Sequence, residues 1–162
     1  MNNKKSFDGY FMREAIKEAR KALKKDEVPV GAVIIKNGSV IARAHNSVEK
    51  NMSSLMHAEI KAIKIAQKKT KNWRLTGCEL YVTLEPCLMC SGAIILSRIS
   101  RLVYGARDPK AGAVESLYKT LSNKRLNHRV EITGGILEKE SSSLLKTFFR
   151  ERRKGLKPRL NP

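Results

Sequence analysis

The chain has 162 residues, of which 41% are hydrophobic, and its 33 Lys and Arg residues outweigh 15 Asp and Glu residues, giving a formal charge of +18. This hydrophobic content excludes a disordered chain and predicts one domain with its own core. The positive charge suggests a polyanionic partner, with nucleic acid as the first candidate, although lysine-rich surfaces also keep proteins soluble.

Taken in chain order, the sequence alternates between helical and strand patterns. The expected helices are Phe7–Lys25, Met56–Lys69, Leu88–Arg98, a short irregular one over Ser116–Leu121, and Leu137–Lys154. The expected strands are Val28–Lys36, Val40–His45, Glu79–Leu84, Arg101–Ala106 and Arg129–Thr133. Asn37-Gly38 predicts a type I′ hairpin turn, and Val48 to Leu55 is expected to be a polar loop. A strand, a helix and a strand between Glu79 and Ala106 predict a crossover with parallel strands.

Apolar side chains at regular spacing mark the faces expected to be buried. They are Met12, Ala15, Ile16, Ala19 and Leu23 in the first helix, Ile60, Ile63 and Ala66 in the second, Ile94, Ile95 and Leu96 in the third, and Leu137, Leu144, Leu145 and Phe148 in the last. These positions therefore predict helices on both faces of a mixed five-stranded sheet, an α/β fold.

Two short motifs carry the chemistry: His57-Ala58-Glu59 and Pro86-Cys87-Leu88-Met89-Cys90. The two cysteines are three residues apart, so a helix places them on one face, and Pro86 suits the first turn of that helix. The positive end of a helix favours the thiolate, which is the form that binds metal. His57, Cys87 and Cys90 supply three zinc ligands and leave a fourth position open, as in catalytic zinc sites.

Each motif has other interpretations when taken alone. A Cys-x-x-Cys pair also occurs in redox proteins and as half of a zinc finger, and Glu59 is either a fourth ligand or a proton shuttle. A carboxylate beside an open zinc position is more useful for moving protons. The combination of both motifs, each opening a helix, favours a catalytic zinc centre with one zinc per chain.

The two motifs resemble the zinc deaminases of nucleosides and nucleobases, the established example of this signature. Further segments are similar to the branch of that family that acts on adenosine in bacterial tRNA, from about residue 7 to about residue 154. They are Val28–Val33, Asn46, Tyr81–Glu85, Tyr104–Asp108, Asn127–Val130 and Phe148–Arg150. The resemblance implies a three-layer α/β/α cytidine-deaminase-like fold, a deaminase domain over 1–154, and a basic tail over 155–162.

The resemblance also implies a reaction: hydrolytic deamination of adenosine to inosine at the wobble position of a tRNA anticodon loop. Zinc on His57, Cys87 and Cys90 is expected to activate water, and Glu59 to act as base and then as acid. Asn46 is expected to contact the base and Asp108 the strand beside it, although by themselves both suit turns.

The C-terminal helix is expected to help hold RNA. Seven basic residues and one acid lie between Lys146 and Arg159. Cations also stabilise a helix C-terminus, and Phe149 is either a core residue or a stacking partner for an unpaired base. The residues expected to contact the substrate strand are Lys110, Phe149, Arg150, Arg152 and Arg153.

Partners and location complete the expectations. The resemblance implies a homodimer. The sequence has no apolar run of membrane-spanning length and no secretory h-region, and its three cysteines suit a reducing compartment, so a cytoplasmic protein is expected. The alternatives are a deaminase of a free nucleobase or nucleoside (cytidine, cytosine or guanine), a non-catalytic RNA-binding zinc module, and a redox protein.

Overall fold

The computed structural model describes residues 2–155, with side chains from residue 6 onward. Five α-helices lie in this range: α1 (Asn2–Lys24), α2 (Val48–Asn51), α3 (Ala58–Thr70), α4 (Leu88–Leu96) and α5 (Glu138–Arg153). Five strands accompany them: β1 (Gly31–Lys36), β2 (Ser39–His45), β3 (Cys78–Leu84), β4 (Arg101–Ala106) and β5 (Glu131–Thr133).

The strands form one mixed sheet in the order β2-β1-β3-β4-β5. β1 is antiparallel to both β2 and β3, whereas β3 pairs in parallel with β4, and β4 with β5. The predicted mixed five-stranded sheet is therefore confirmed. The parallel β3–α4–β4 crossover is confirmed as well, and it places the ends of β3 and β4 together at one edge.

Alternating side chains of β1 separate the two helical layers. Val33 and Ile35 pack with the apolar face of α1, whereas Ala32 and Ile34 belong to the core on the other side, which includes residues of α3 and α4. A strand's successive side chains point to opposite faces, so a buried β1 needs cover on both sides. The predicted stripe of α1 lies entirely in the core.

Several predicted boundaries were wrong. The first strand begins at Gly31 rather than Val28, because the Val30 N–H turns back to the Val28 carbonyl at 2.8 Å. The polar loop after β2 contains the one-turn helix α2. In place of the short helix over 116–121 there is only a 3-10 turn at Thr120–Ser122, and β5 keeps three residues.

The predicted hairpin turn is confirmed, since Asn37 and Gly38 both have positive φ, 49° and 72°. Leu96 was wrongly expected in the core: it is 73% exposed at the end of α4, whereas Ile94 is fully buried. In the predicted apolar stripe of the last helix, Phe148 is buried, whereas Leu144, Leu145 and Leu137, which directly precedes α5, are only partly buried.

No helix within residues 2–155 is long and apolar enough to cross a membrane. Of the predicted basic tail, only Gly155 falls within that range, and Lys157 and Arg159 lie outside the described residues.

Candidate active site

The site forms where the first turns of α3 and α4 meet. His57 is the N-cap of α3 and Cys87 is the N-cap of α4, both with extended backbone, and neither side chain makes a capping hydrogen bond. Their side chains are turned towards each other instead. The predicted start of α3 at Met56 was therefore slightly early, whereas the predicted start of α4 at Leu88 is confirmed, and in both helices the residue before the first turn carries a ligand.

The His57, Cys87 and Cys90 donor atoms all lie within 4.8 Å of one another. The Nδ1 atom of His57 is 3.7 Å from Cys87 Sγ and 3.5 Å from Cys90 Sγ. With Zn–S near 2.3 Å and Zn–N near 2.0–2.1 Å, two ligands of a tetrahedral zinc lie about 3.6 Å apart. Both distances match that edge, so the three side chains fit a tetrahedral metal ion with one position left over.

Hydrogen bonds within the cluster shift the pKa values of its three donors in different directions. A hydrogen bond from the Cys90 thiol, aided by His57, lowers the pKa of Cys87 to about 4 despite its burial. Cys90 holds the shared proton, so its own pKa is raised, and the hydrogen bond with Cys87 raises the pKa of His57. Cys87 is thus shifted towards the thiolate that metals bind, whereas a metal ion has to compete with protons at Cys90 and His57.

Glu59 lies beside this cluster on the first turn of α3. Its side chain lines the same pocket as His57 and Cys87, yet only 4% of the residue is exposed. Burial raises the pKa of Glu59 above its ordinary value. A carboxyl group whose pKa is shifted upwards is suited to both taking and giving a proton near neutral pH.

A pocket of about 260 Å³ opens over these residues. Its wall comes from the segments that follow α1, β2, β3 and β4. The lining residues are Glu27, Val28, Val30, Asn46, Val48, Glu49, His57, Glu59, Leu84, Glu85, Cys87, Asp108 and Ala111. The structure therefore brings Asn46 and Asp108 to the same pocket as the metal cluster and Glu59.

Asp108 has a local role as well as a place in this wall. Its carboxylate accepts the N–H groups of Lys110 at 2.9 Å and of Ala111 at 3.2 Å, which is the turn-forming role of an Asp. Its backbone carbonyl accepts the Gly112 N–H at 2.8 Å. A contact between Asp108 and substrate stays a prediction.

A second groove of about 610 Å³ adjoins the pocket and shares Val28, Leu84 and Asp108 with it. The predicted residues Lys110, Phe149 and Arg153 line it, together with the basic Arg107 and Lys146 and the apolar Ala106 and Leu145. Arg150 and Arg152 do not line it. Arg150 lies 3.4 Å from Glu151, and Arg152 donates to the Asp26 carbonyl at 3.0 Å.

Two buried carboxylates in the pocket wall were missed in the sequence. Glu27 is 1% exposed and Glu85 is 2% exposed. Glu85 accepts the backbone N–H groups of Asp108, Val114, Glu115 and Ser116 at 2.7–3.1 Å, and also the Ser116 hydroxyl. Although burial opposes it, these bonds lower the pKa of Glu85. In the sequence, the only sign that Glu85 has such a role is that an acidic residue directly follows an apolar strand.

Comparison with known proteins shows which family shares this arrangement. The profile of the MafB19-like deaminases matches residues 6–153. The chain is 52% identical over 147 residues to the tRNA-specific adenosine deaminase of Bacillus subtilis, covering 91% of each chain.

Two solved structures place the fold in the same group. One, from work on A-to-I editing by tRNA:A34 deaminases at the wobble position of transfer RNA, is 46% identical with a TM-score of 0.81, over 84% of this chain and 99% of that one. The guanine deaminase of Nitrosomonas europaea is 27% identical with a TM-score of 0.75, over 85% of this chain and 81% of that one.

Proposed function

We propose, from the premise that the chain belongs to the MafB19-like deaminase family, that it is a tRNA-specific adenosine deaminase. It hydrolyses adenosine to inosine, with release of ammonia, at the wobble position of a tRNA anticodon loop. The observation that carries the proposal is the 52% identity over 91% of both chains to a tRNA-specific adenosine deaminase. The metal-ligand cluster with a buried carboxylate at its side supplies the chemistry.

His57, Cys87 and Cys90 would hold one zinc ion per chain, since they form a fitting donor set within the described residues. When bound, zinc acts as a Lewis acid that makes water nucleophilic near neutral pH. His57 and Cys87 line the same pocket as Glu59, so the metal would supply its chemistry where the base would sit.

Glu59 moves the protons. Its carboxylate accepts a proton from the attacking water and passes it to N1 of adenine, while the water oxygen bonds to C6. Loss of the second water proton and protonation of the C6 amine then allow the C–N bond to break, so that ammonia leaves and the C6 carbonyl of inosine remains. Burial raises the pKa of Glu59, which makes its carboxylate a better base for the first of these proton transfers.

The remaining substrate contacts follow from the pocket and the groove. Asn46 would hold the unstacked base, and Asp108 and Lys110 would contact the strand beside it. Phe149 and Arg153 line the adjoining groove, where a neighbouring base can stack and a phosphate can be neutralised. Arg150 and Arg152, exposed on the same helix, would add longer-range attraction for RNA.

Charge and similarity favour tRNA over a free nucleobase or nucleoside. Binding a small neutral substrate does not require a net charge of +18, whereas an anticodon loop is a polyanion with unpaired bases that this charge attracts. The identity to the tRNA-specific deaminase, 52%, far exceeds the 27% identity to the guanine deaminase.

The test compares an anticodon stem-loop with free adenosine, cytidine and guanine at two salt concentrations, with Glu59→Ala as the inactive control. Only the stem-loop should be deaminated efficiently, and the log of its binding constant should fall with log salt by about 0.7 per single-strand phosphate neutralised. Replacing Arg150, Arg152 and Arg153 with Ala should flatten this dependence and leave the zinc content unchanged. Equal turnover of a free nucleoside or nucleobase would refute the proposal.

The protein is further proposed to be a cytoplasmic homodimer. Large apolar side chains are exposed on α4 (Leu88, Leu96), between α2 and α3 (Met52, Leu55) and in the loop after β4 (Leu117, Tyr118), and a second copy would cover such side chains. None of the three cysteines forms a disulfide among the described residues, which suits a reducing compartment. Sedimentation showing a fully active monomer at micromolar concentration would rule out a dimer requirement.

A further inference from the structure

Glu27 is a buried carboxylate that the chemistry described above does not use. It follows α1 in the turn before β1, and it lines the pocket with 1% of its surface exposed. Within hydrogen-bond distance it has three donors: the backbone N–H of Lys50 at 2.7 Å, the backbone N–H of Glu49 at 3.2 Å, and the Asn46 side-chain nitrogen at 3.4 Å. Burying a charged group is costly unless such partners surround it.

Two of these donors belong to the first turn of α2, which lacks the usual cap. Its N-cap residue is Ser47, a residue type that normally accepts these N–H groups itself. The Ser47 hydroxyl instead accepts from Lys61 of α3 at 2.7 Å, and the same ammonium group donates to the His45 carbonyl at 2.7 Å. Glu27 caps α2 from outside and so holds the backbone after Asn46, whereas Lys61 holds the His45 carbonyl before it.

The third donor is the carboxamide of Asn46. An ionised carboxylate has only acceptors, so the group that faces Glu27 has to be the NH₂ of Asn46, and the carboxamide cannot rotate by half a turn. One N–H is directed to Glu27, while Oδ1 and the second N–H remain for a ligand. Without this partner, the donor and acceptor ends of the amide would interchange at little cost.

We propose that Glu27 is a positioning residue for deamination, which acts by holding the Asn46 carboxamide in one orientation towards the base. The inference rests on the proposed function, in which Asn46 contacts the base. Glu27 itself touches no reacting atom. Its contribution is that Asn46 meets the base with its donor and acceptor already in place, so no orientation has to be fixed during the reaction.

Glu27→Gln tests this, because it keeps the size of the side chain and replaces one acceptor oxygen with a donor. If the new NH₂ faces Asn46, two donors oppose each other and the Asn46 amide turns over. The single-turnover rate on an anticodon stem-loop should fall about tenfold, the size expected for one misplaced hydrogen bond, while RNA affinity changes less than twofold. Glu18→Gln is the matched control, because Glu18 is a buried carboxylate, 3% exposed, that bonds His45 and not Asn46. The single-turnover rate of this variant should stay within twofold of the wild-type rate.

A double-mutant cycle separates positioning from general structural support. Asn46→Ala should slow the wild-type enzyme, and adding Glu27→Gln to Asn46→Ala should slow it no further, because the residue through which Glu27 acts is gone. An equal loss in both backgrounds would overturn the proposal. If Asn46→Ala alone had no effect, the role of Asn46 in the proposed function would fail first. Zinc content is measured for every variant.

A stability measurement tests the same contact without substrate. Asn46→Asp places two carboxylates together and should destabilise the fold. Glu27→Gln should lower stability in the wild type but raise it in Asn46→Asp, where the new amide donates to the introduced carboxylate. Urea unfolding of the zinc-loaded proteins measures the change in stability that Glu27→Gln causes in each background. A change of the same sign in both backgrounds would refute the contact between Glu27 and the side chain at position 46.

Discussion

Removal of the Glu85 carboxylate should loosen the loop between β4 and the 3-10 turn, which carries Asp108 and Lys110. Glu85 is 2% exposed and accepts four backbone N–H groups and one hydroxyl from residues 108–116. The loop also packs tightly on it: a Cβ added to Gly112 would lie 2.5 Å from the Glu85 carboxylate. Among the described residues, no other side chain accepts as many hydrogen bonds from this segment.

The magnitude follows from those bonds. Hydrogen bonds to a charged group contribute about 1.5–3 kcal/mol each, so five of them would sum to about 7.5 kcal/mol at the lower value if none of the freed groups regained water. After Glu85→Ala, the N–H groups at the more exposed Asp108 and Glu115 regain water, whereas that of the buried Val114 does not. We therefore expect a loss of about 3–5 kcal/mol, or roughly 6–20 °C in Tm for a chain of this size.

Urea unfolding of the zinc-loaded protein measures this loss, and hydrogen exchange shows where it occurs. The amides of Val114, Glu115 and Ser116 should lose protection, while those of the central strands should keep theirs. Ser116→Ala removes only the hydroxyl donor and should cost about 1 kcal/mol. A Glu85→Ala protein that stays within 1 kcal/mol of the wild type with protected loop amides would refute the reasoning.

Three further outcomes are expected. Cys87→Ala should lose stoichiometric zinc in metal analysis, because two donors remain where three are needed, and an unchanged zinc content would remove Cys87 from the site. Glu59→Gln should retain zinc and RNA binding but lose at least 10²–10⁴-fold in single-turnover rate, the usual contribution of proton transfer, and near-normal turnover would exclude Glu59 as the proton carrier. Gly31→Ala should destabilise the fold by more than about 3 kcal/mol in urea unfolding, because the added Cβ would lie 2.1 Å from the Ala15 carbonyl oxygen. The control Gly9→Ala should instead raise the stability by about 0.5–1 kcal/mol, because its Cβ would have only Arg13 nearby, at 3.7 Å. Equal effects of the two changes would contradict the tight contact between α1 and β1.

The Arg residues of α5 show where sequence patterns stop. Their spacing marks an exposed basic helix end, and the exposure of Arg150, Arg152 and Arg153 agrees with it. Only Arg153 lines the groove, because Arg152 is drawn to Asp26, 126 positions away in the sequence. Periodicity gives the face of a helix but not the neighbours of each side chain on it.

The sequence by itself determined the parts of this protein that depend on near neighbours in the chain. The spacing of Cys87 and Cys90, the helix starts beside them, the Asn37-Gly38 turn and the α/β alternation are local features that 3.6- and 2-residue periods express directly. Only the tertiary structure decided that Glu27 lies against Asn46 and that Glu85 anchors residues 108–116. Those contacts join positions 19 to 31 residues apart. They form because packing of the sheet and helices closes long loops around buried carboxylates, and no local pattern encodes which distant amides a buried carboxylate will meet.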